Sequence, residues 1–446
     1  MLIAGPILPT LLRLSLPNML AMLATALVAV AETVYVGRLG IDPLAGMALA
    51  FPMVMLQQMM SAGAMGGGIS SAVSRALGSG DHGRAERLVL HATLIGVGAG
   101  AVFMSVFLLS GPALYRLLGG SGEALVQALA YSNIVFLGAC FTWLTNTFAS
   151  AIRGCGNMRI PSISLFMVAT LQVLLGGALG LGLFPFARWG MPGIALGQVI
   201  AYACGTGILA WYLRSDHARV RLRFDFAALK WEMFRDILKV GALACISPLQ
   251  AVLTVLILTR LVSRFGSEAL AGYGIGSRLE FLLIPITFSI GVSCVPMVGM
   301  AIGAGNIARA RRVAWIGGGI SAVSLGSIGL LVALAPDTWA SLFTANPAVL
   351  AMARLYFSWA GPAYAFFGLG LCLYFASQGS GRILGPVLAM TVRLLVVAGG
   401  GWWLVQAQAP PWTMFALVGL SMFAYGSSTA LAVFLTRWEQ PSPKVA

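Results

Sequence analysis

The chain has 446 residues, of which 59% are hydrophobic and only 9% charged, with a mean hydropathy of +0.91. Soluble domains carry about 25% charged residues, so the composition excludes a soluble protein and points to an integral membrane one. The net charge of +14 is no sign of nucleic acid, because the basic residues sit in short loops between apolar runs, the positive-inside pattern.

The apolar runs predict twelve spans, at roughly 11–36, 45–78, 86–112, 122–151, 161–183 and 191–213, then 237–263, 268–304, 309–334, 347–378, 383–407 and 411–436. About 20 apolar residues cross a bilayer as a helix. These runs are far longer than the roughly 10-residue alternating strands of an outer-membrane barrel. The expected fold is therefore an all-α polytopic membrane protein.

The first span holds one carboxylate, Glu32, in an otherwise almost wholly apolar segment. An acid there costs about 2.5–3.5 kcal/mol on insertion scales and is a functional candidate by default. Asn18, Thr25 and Glu32 recur every seven residues, which keeps them on one face with about 20° of drift per step. Such a polar stripe must face protein or a water-filled cavity. Pro17 removes one backbone hydrogen bond inside the same helix and permits either a static bend or a mechanical hinge. Arg13, the apolar run after it and Ala29-Val-Ala31 resemble a signal peptide. The run exceeds a usual signal core, so the segment is read as a span that is not cleaved.

The second half copies the first. Residues 36–46 match 262–272 at an offset of 226, residues 76–87 match 301–312 at 225, and Gly154, Gly156 and Pro161 match Gly379, Gly381 and Pro386 at 225. Six spans per half is an even number, so both copies enter the membrane with the same orientation. The expected architecture is twelve transmembrane helices in two pseudo-symmetric six-helix bundles related as parallel repeats. The lobes are expected at 1–213 and 237–436, with a basic cytoplasmic linker at 214–236 and a cytoplasmic tail at 437–446. Arginine clusters at Arg75/Arg84/Arg87, Arg153/Arg159, the linker, Arg309/Arg311/Arg312, Arg382 and Arg437 place that side and both termini in the cytoplasm. The expected location is the inner membrane.

Nothing in its own helix neutralises Glu32, and Leu258, at its repeat position, is apolar. A neutral carboxyl costs less in hydrocarbon than an ionised one. Glu32 is therefore read as a group that gains and loses a proton, the chemistry of a relay in a pump. Candidate polar neighbours on other first-half spans are Gln57, Gln58, Asn133, Asn146, Gln172, Gln198 and Tyr202, each also suited to ordinary interhelical hydrogen bonding. Glu280, Arg278 and Arg393 lie at membrane depth in the second half. They pair with one another, or Glu280 binds substrate; the sequence leaves both open. The glycine clusters at 63–68, 176–180 and 317–319 allow close helix packing, since no Gly-Lys-Ser/Thr follows to make a phosphate loop. The six cysteines (140, 155, 204, 245, 294, 372) read as free buried thiols. No metal spacing, nucleotide motif or nucleophile–base arrangement supports an enzyme.

Several stretches together resemble the multidrug and toxic compound extrusion (MATE) family. They are Glu32-Thr-Val-Tyr-Val-Gly-Arg-Leu-Gly40, Leu44-Ala45, Gly78-Ser-Gly80-Asp81 with Arg84-Ala85, Arg153-Gly-x-Gly156-Asn157 before Pro161, and Gly303-Ala-Gly-Asn306 with Arg309-Ala310-Arg311. The resemblance covers nearly the whole chain. It implies a twelve-helix secondary antiporter that exports mostly cationic, amphipathic compounds against protons or sodium. It places Glu32 at the family's first-helix acid, usually Asp, and Pro17 at a proline whose bend responds to protonation. Two departures stand out. Gln172 and Gly176 occupy places where many members have Asn and Asp, and Gln250 and Ala251 fall where some have Glu. A sodium site wants several oxygen ligands, so losing that Asp favours protons over sodium.

The functional expectation is a proton-coupled antiporter working by alternating access, with Glu32, Gln172 and Asn18 as the coupling set and Pro17 as hinge. Tyr35, Gln57, Asn133, Asn146, Tyr202, Glu280, Arg278, Tyr364 and Arg393 are the expected cargo-cavity residues, with Met55, Met59, Phe141, Trp359 and Phe367 as adaptable apolar walls. The expected partners are small amphipathic organic cations and the lipid bilayer, with no nucleic acid, no cofactor beyond H+ or Na+, and function as a monomer. The alternatives are a sodium-coupled exporter of the same class and a flippase of lipids or lipid-linked precursors.

Overall fold

The computed structural model describes residues 3–183, 187–225, 227 and 229–438, so most of the expected tail lies outside the described residues. Among the described residues every regular element is helical. Hydrocarbon offers no hydrogen-bond partners, so chain segments this apolar satisfy their backbone internally by coiling.

In chain order the first half runs α1 (Ile7–Leu39), α2 (Ile41–Gln58), a π-helical segment (Met59–Met65), α3 (Gly66–Gly78), α4 (His82–Leu117), α5 (Gly122–Leu137), α6 (Ala139–Gly154), α7 (Arg159–Leu181) and α8 (Met191–Arg214). The second half runs α9 (Trp231–Ala244), α10 (Ile246–Val262), α11 (Ser267–Gly303), α12 (Ile307–Leu334), the short α13 (Asp337–Ala340), α14 (Pro347–Ala360), α15 (Tyr364–Ser380), α16 (Leu384–Gln406) and α17 (Pro411–Leu435).

Ten helical stretches are long and apolar enough to cross a membrane alone, and two bent pairs bring the number to twelve. The pairs are α5 with α6, bent by 49°, and α14 with α15, bent by 55°. Each is the fourth span of its half, so the breaks are themselves a repeated feature. Gly138 marks the first break, where a Cβ would meet Val199 at 2.6 Å. Gly361 marks the second, where a Cβ would stand 2.5 Å from the carbonyl oxygen of Gly329. The matched loops also fold alike. Gly80 and Gly305 take φ +82° and +74°, backbone that glycine adopts without strain. Asp81 and Asn306 then cap α4 and α12 by accepting the backbone N–H of Arg84 at 2.8 Å and of Arg309 at 3.0 Å.

Packing divides the chain into one unit of residues 16–242 and another of residues 1–15 with 243–446. These units are offset from the expected lobes because α1 is divided between Ser15 and Leu16, and α9 between Ala242 and Leu243. In the unit 16–242, Val36, Met47, Tyr131, Phe136 and Ile194 share a core, with Phe107 and Phe136 stacked at 4.2 Å. The start of α9 is fastened to α3 and α4. Asp236 bridges Arg75 at 2.6 Å and Arg84 at 2.9 Å. The buried ring of His91 accepts the Lys230 N–H at 3.0 Å and donates from Nδ1 to the Arg87 carbonyl at 2.7 Å. A Cβ on Gly68 would overlap the Gly241 backbone at 2.7 Å, so only glycine permits that approach.

In the other unit, Leu11 packs among Ile290, Cys294, Met297, Val313 and Leu373. Arg309 donates to the Gly5 carbonyl at 2.6 Å, which fixes the start of the chain. A second core gathers Tyr273, Tyr356, Phe357, Phe415 and Met422. None of the six cysteines forms a disulfide; Cys155, Cys245, Cys294 and Cys372 are buried as expected, whereas Cys140 is half-buried and Cys204, on α8, is exposed.

Candidate functional site

Glu32 projects from α1 and is only 7% exposed. Its Oε1 accepts a hydrogen bond of 2.8 Å from Nε2 of Gln172 on α7, itself 9% exposed. No arginine or lysine forms an ion pair with Glu32 among the described residues. The acid is thus held by a neutral amide, which orients it without fixing its charge. A permanent cation in that place would lock the carboxylate ionised.

A polar network surrounds this pair in the same unit. Asn146 on α6 donates to Gln58 Oε1 at 2.9 Å and to Ser61 Oγ at 2.8 Å. Gln58 in turn donates to the hydroxyl of Tyr202 on α8. Tyr131 on α5 donates to Gln198 Oε1 at 2.8 Å. Both tyrosines are 2% exposed and lie within electrostatic range of Glu32. Ser61 belongs to the π segment, a helix irregularity that recurs at functional sites because it shifts side chains out of register. Tyr35 lies half-buried against α7, where a Cβ on Gly177 would meet its ring at 2.9 Å.

Three expected residues stand apart from this group. Asn18 is fully buried, yet both polar atoms of its side chain lack a partner. It is fourteen residues from Glu32 on one helix, about 21 Å at 1.5 Å per residue, too far to share an ion with it. Its neighbour is Pro17, the interior proline of α1. Asn133 is exposed on α5; the opposite face of the same turn contributes Tyr131 to the network instead. Gln57 is 1% exposed with its Nε2 unpartnered, while Gln58 makes the network bonds. Tyr131 and Ser61 were not singled out from the sequence. The one available signal was the repeat, since Tyr131 and Tyr356 lie 225 residues apart.

The C-terminal unit holds a second cluster. Tyr356 on α14 donates its hydroxyl to Glu280 Oε1 on α11. Arg393 on α16 is 6% exposed, with its guanidinium over the Phe367 ring at 5.1 Å from the centroid. Tyr364, at the start of α15, is 1% exposed. Arg278 turns away from this group: it is exposed and lies over Phe343 at 5.2 Å. Neither arginine closes an ion pair on Glu280 among the described residues. Of the expected apolar walls, Trp359 stacks on Trp412 at 5.5 Å and Phe141 is 41% exposed.

Comparison with known proteins gives concordant likenesses. A family model described as MatE matches residues 17–176 and 244–403, one stretch in each half. A probable multidrug resistance protein NorM of Thermotoga maritima is 24% identical over 388 residues, 86% of this chain and 82% of the relative. A FAD transporter of Shewanella oneidensis is 26% identical over 403 residues, 89% of this chain and 87% of the relative. Among solved structures, the outward-facing conformation of a multidrug resistance MATE family transporter superposes with a TM-score of 0.86 at 21% identity, covering 97% of this chain and 96% of that one. A MOP superfamily transporter from Pyrococcus furiosus, described by the reverse polarity of its binding pocket, gives 0.89 at 20% identity over 97% and 96%. Likeness at these identities establishes a shared twelve-helix fold.

Proposed function

Because the chain belongs to the MatE family of membrane transporters, we propose that it exports small amphipathic organic compounds, mostly cations, in exchange for protons. Glu32 is the group that carries the coupling proton. The observation behind this reading is its setting: a buried acid in a membrane-spanning helix whose hydrogen-bond partner is the neutral amide of Gln172.

Ionised, Glu32 accepts from Gln172 and attracts a cation. Protonated, it is neutral, and the attraction is gone. Proton and cationic cargo therefore compete for one charge state, which is the thermodynamic link an exchanger needs. The Gln172 N–H occupies one carboxylate oxygen, and a sodium site wants several oxygen ligands, so the arrangement favours the proton. The signal then travels along α1. Pro17 stands fifteen residues from Glu32 and two residues past the point where α1 passes from one packing unit to the other. Its missing N–H makes this the turn that bends at least cost. Asn18, with buried and unpartnered polar atoms beside it, gains hydrogen bonds in any alternative bend that reaches an acceptor or donor. The two lobes rock between access states about such flexing points.

Relatives named for multidrug resistance and for FAD support small organic cargo. The basic loops support an inner-membrane location with both termini cytoplasmic. The unit acts as a monomer in this reading.

The test is transport in proteoliposomes under an imposed proton or sodium gradient, using a fluorescent organic cation. A proton gradient drives concentrative movement in the wild type and not in Glu32→Gln. Equal pumping by Glu32→Gln, or drive by sodium alone, overturns the assignment.

A further inference from the structure

The proton step leaves one pair of charges unused: Arg393 and Glu280, both in the C-terminal unit. Arg393 sits near the middle of α16, a 23-residue membrane-spanning helix. Its Nε is buried without a partner, and among the described residues no carboxylate pairs with it. The ring of Phe367 supports the guanidinium from one side. Cation–π contact of this kind holds a charge in place but leaves its N–H groups free. Tyr425, also fully buried, has its ring 6.1 Å from that of Phe367 and a hydroxyl with no partner. Two unmet donors thus stand in one place.

Glu280 lies within electrostatic range of Arg393, yet the two do not close. One carboxylate oxygen is taken by Tyr356, and Arg393 is braced on Phe367. A buried pair kept only for structure recovers its desolvation cost at short range and with good geometry, which arginine achieves by bidentate contact. Opposite charges held apart by separate supports instead present a dipole. We propose that this cluster is a cargo site for zwitterions, in which Arg393 receives a carboxylate and Glu280 faces the cationic group. Recognition of the anion falls to Arg393 because a guanidinium can only donate and matches a carboxylate edge. The inference rests on the reading that the chain exports small organic compounds, but not on the role of Glu32.

The experiment compares two probes on one scaffold, rhodamine B, a zwitterion, and its ethyl ester, a cation without the carboxylate. Binding to the purified full-length protein is read by fluorescence anisotropy, and efflux is read in proteoliposomes. The wild type binds the acid at least about tenfold more tightly than the ester. Arg393→Gln abolishes that preference while leaving ester binding within about twofold, and Arg393→Lys, which keeps the charge, retains part of it. Glu280→Gln weakens both probes. A wild type without preference for the acid overturns the proposal, as does an Arg393→Lys or Arg393→Gln protein that loses both probes alike. Restoration of the acid preference in a Glu280→Gln/Arg393→Gln double variant also overturns it, since that is the mark of two charges that merely neutralise each other. Glu32→Gln keeps the binding preference and loses gradient-driven efflux. If it instead pumps normally while Arg393→Gln loses the preference, the coupling assignment falls and the zwitterion site stands.

Discussion

Glu32 and Glu280 are both acids within spans of a duplicated chain, and their surroundings differ. Glu32 lies on the first span of its half and is held by an amide; Glu280 lies on the second span of its half, bonded to a tyrosine and within range of an arginine. Their repeat positions carry Leu258 and Met55, so neither acid was inherited from the other. What the halves share is the tyrosine: Tyr131 and Tyr356 are 225 residues apart, and each lies beside the acid of its own half. The same buried hydroxyl recurs in both halves, and the acid within range of it comes from α1 in one and α11 in the other. In the proposed reading the acid beside a neutral amide is the one that carries the proton.

The sharpest way to break this comparison is to neutralise each acid in turn. Glu32→Gln should reduce proton-driven efflux of a plain organic cation to the level of protein-free vesicles, whereas Glu280→Gln should keep the response to the gradient and weaken cargo binding. The opposite pattern in a paired flux assay would reverse the roles. Next in size, Pro17→Ala should slow efflux by about 3- to 10-fold with cargo affinity retained, because a straighter α1 hinders the conformational step and not the binding one. Unchanged turnover would make the proline a static bend.

The two tyrosines offer a finer comparison. Tyr131→Phe and Tyr356→Phe each remove a buried donor and leave an acceptor behind, which costs about 1–3 kcal/mol. Both should lower thermal stability in detergent, but Tyr356→Phe should also change acid-over-ester selectivity, since its acceptor is Glu280 itself. Smaller still, Asp236→Asn loosens two partly exposed ion pairs and should cost about 1 kcal/mol. The exposed pair of Arg354 with Asp337 is the baseline. Its hydrogen bonds hold the Asp337 carboxyl below the usual carboxylate range. Any contribution is present at neutral pH and lost as acid takes the pH down through that lowered range; because both side chains are exposed it is small, so Asp337→Asn should shift a neutral-pH melting curve least of these variants.

Much of the fold was legible because hydrocarbon imposes one rule on every span. Run length and the offset near 225 gave the twelve crossings and their duplication, and the Gly-Ser-Gly-Asp and Gly-Ala-Gly-Asn loops proved to be matching turns and caps. The breaks at Gly138 and Gly361 were not legible, since glycine also serves close packing and appears 55 times. The contact of Gln172 with Glu32 followed from a motif position. The network around Asn146 did not, because Gln57 and Gln58 are adjacent and alike in sequence, and although Gln57 is the more buried only Gln58 bonds to Asn146. Asn18 shares a stripe with Glu32, but a stripe fixes direction and not distance. Arg278 and Arg393 look alike in sequence, yet one ends over Phe343 at an exposed position and the other inside the bundle.

The arrangement of the opening segment bears on how the polypeptide is made. Leu11 and the Gly5 carbonyl find their neighbours on α11, α12 and α15, which are synthesised more than two hundred residues later. Residues 5–15 are therefore made well before the helices that they pack against, and take their seat only once those helices are in place. A gene cut between residues 242 and 243 would leave the second fragment without residues 1–15, which pack with it, so pairing the fragments in one cell would require that helical segment of the first to be seated in the second.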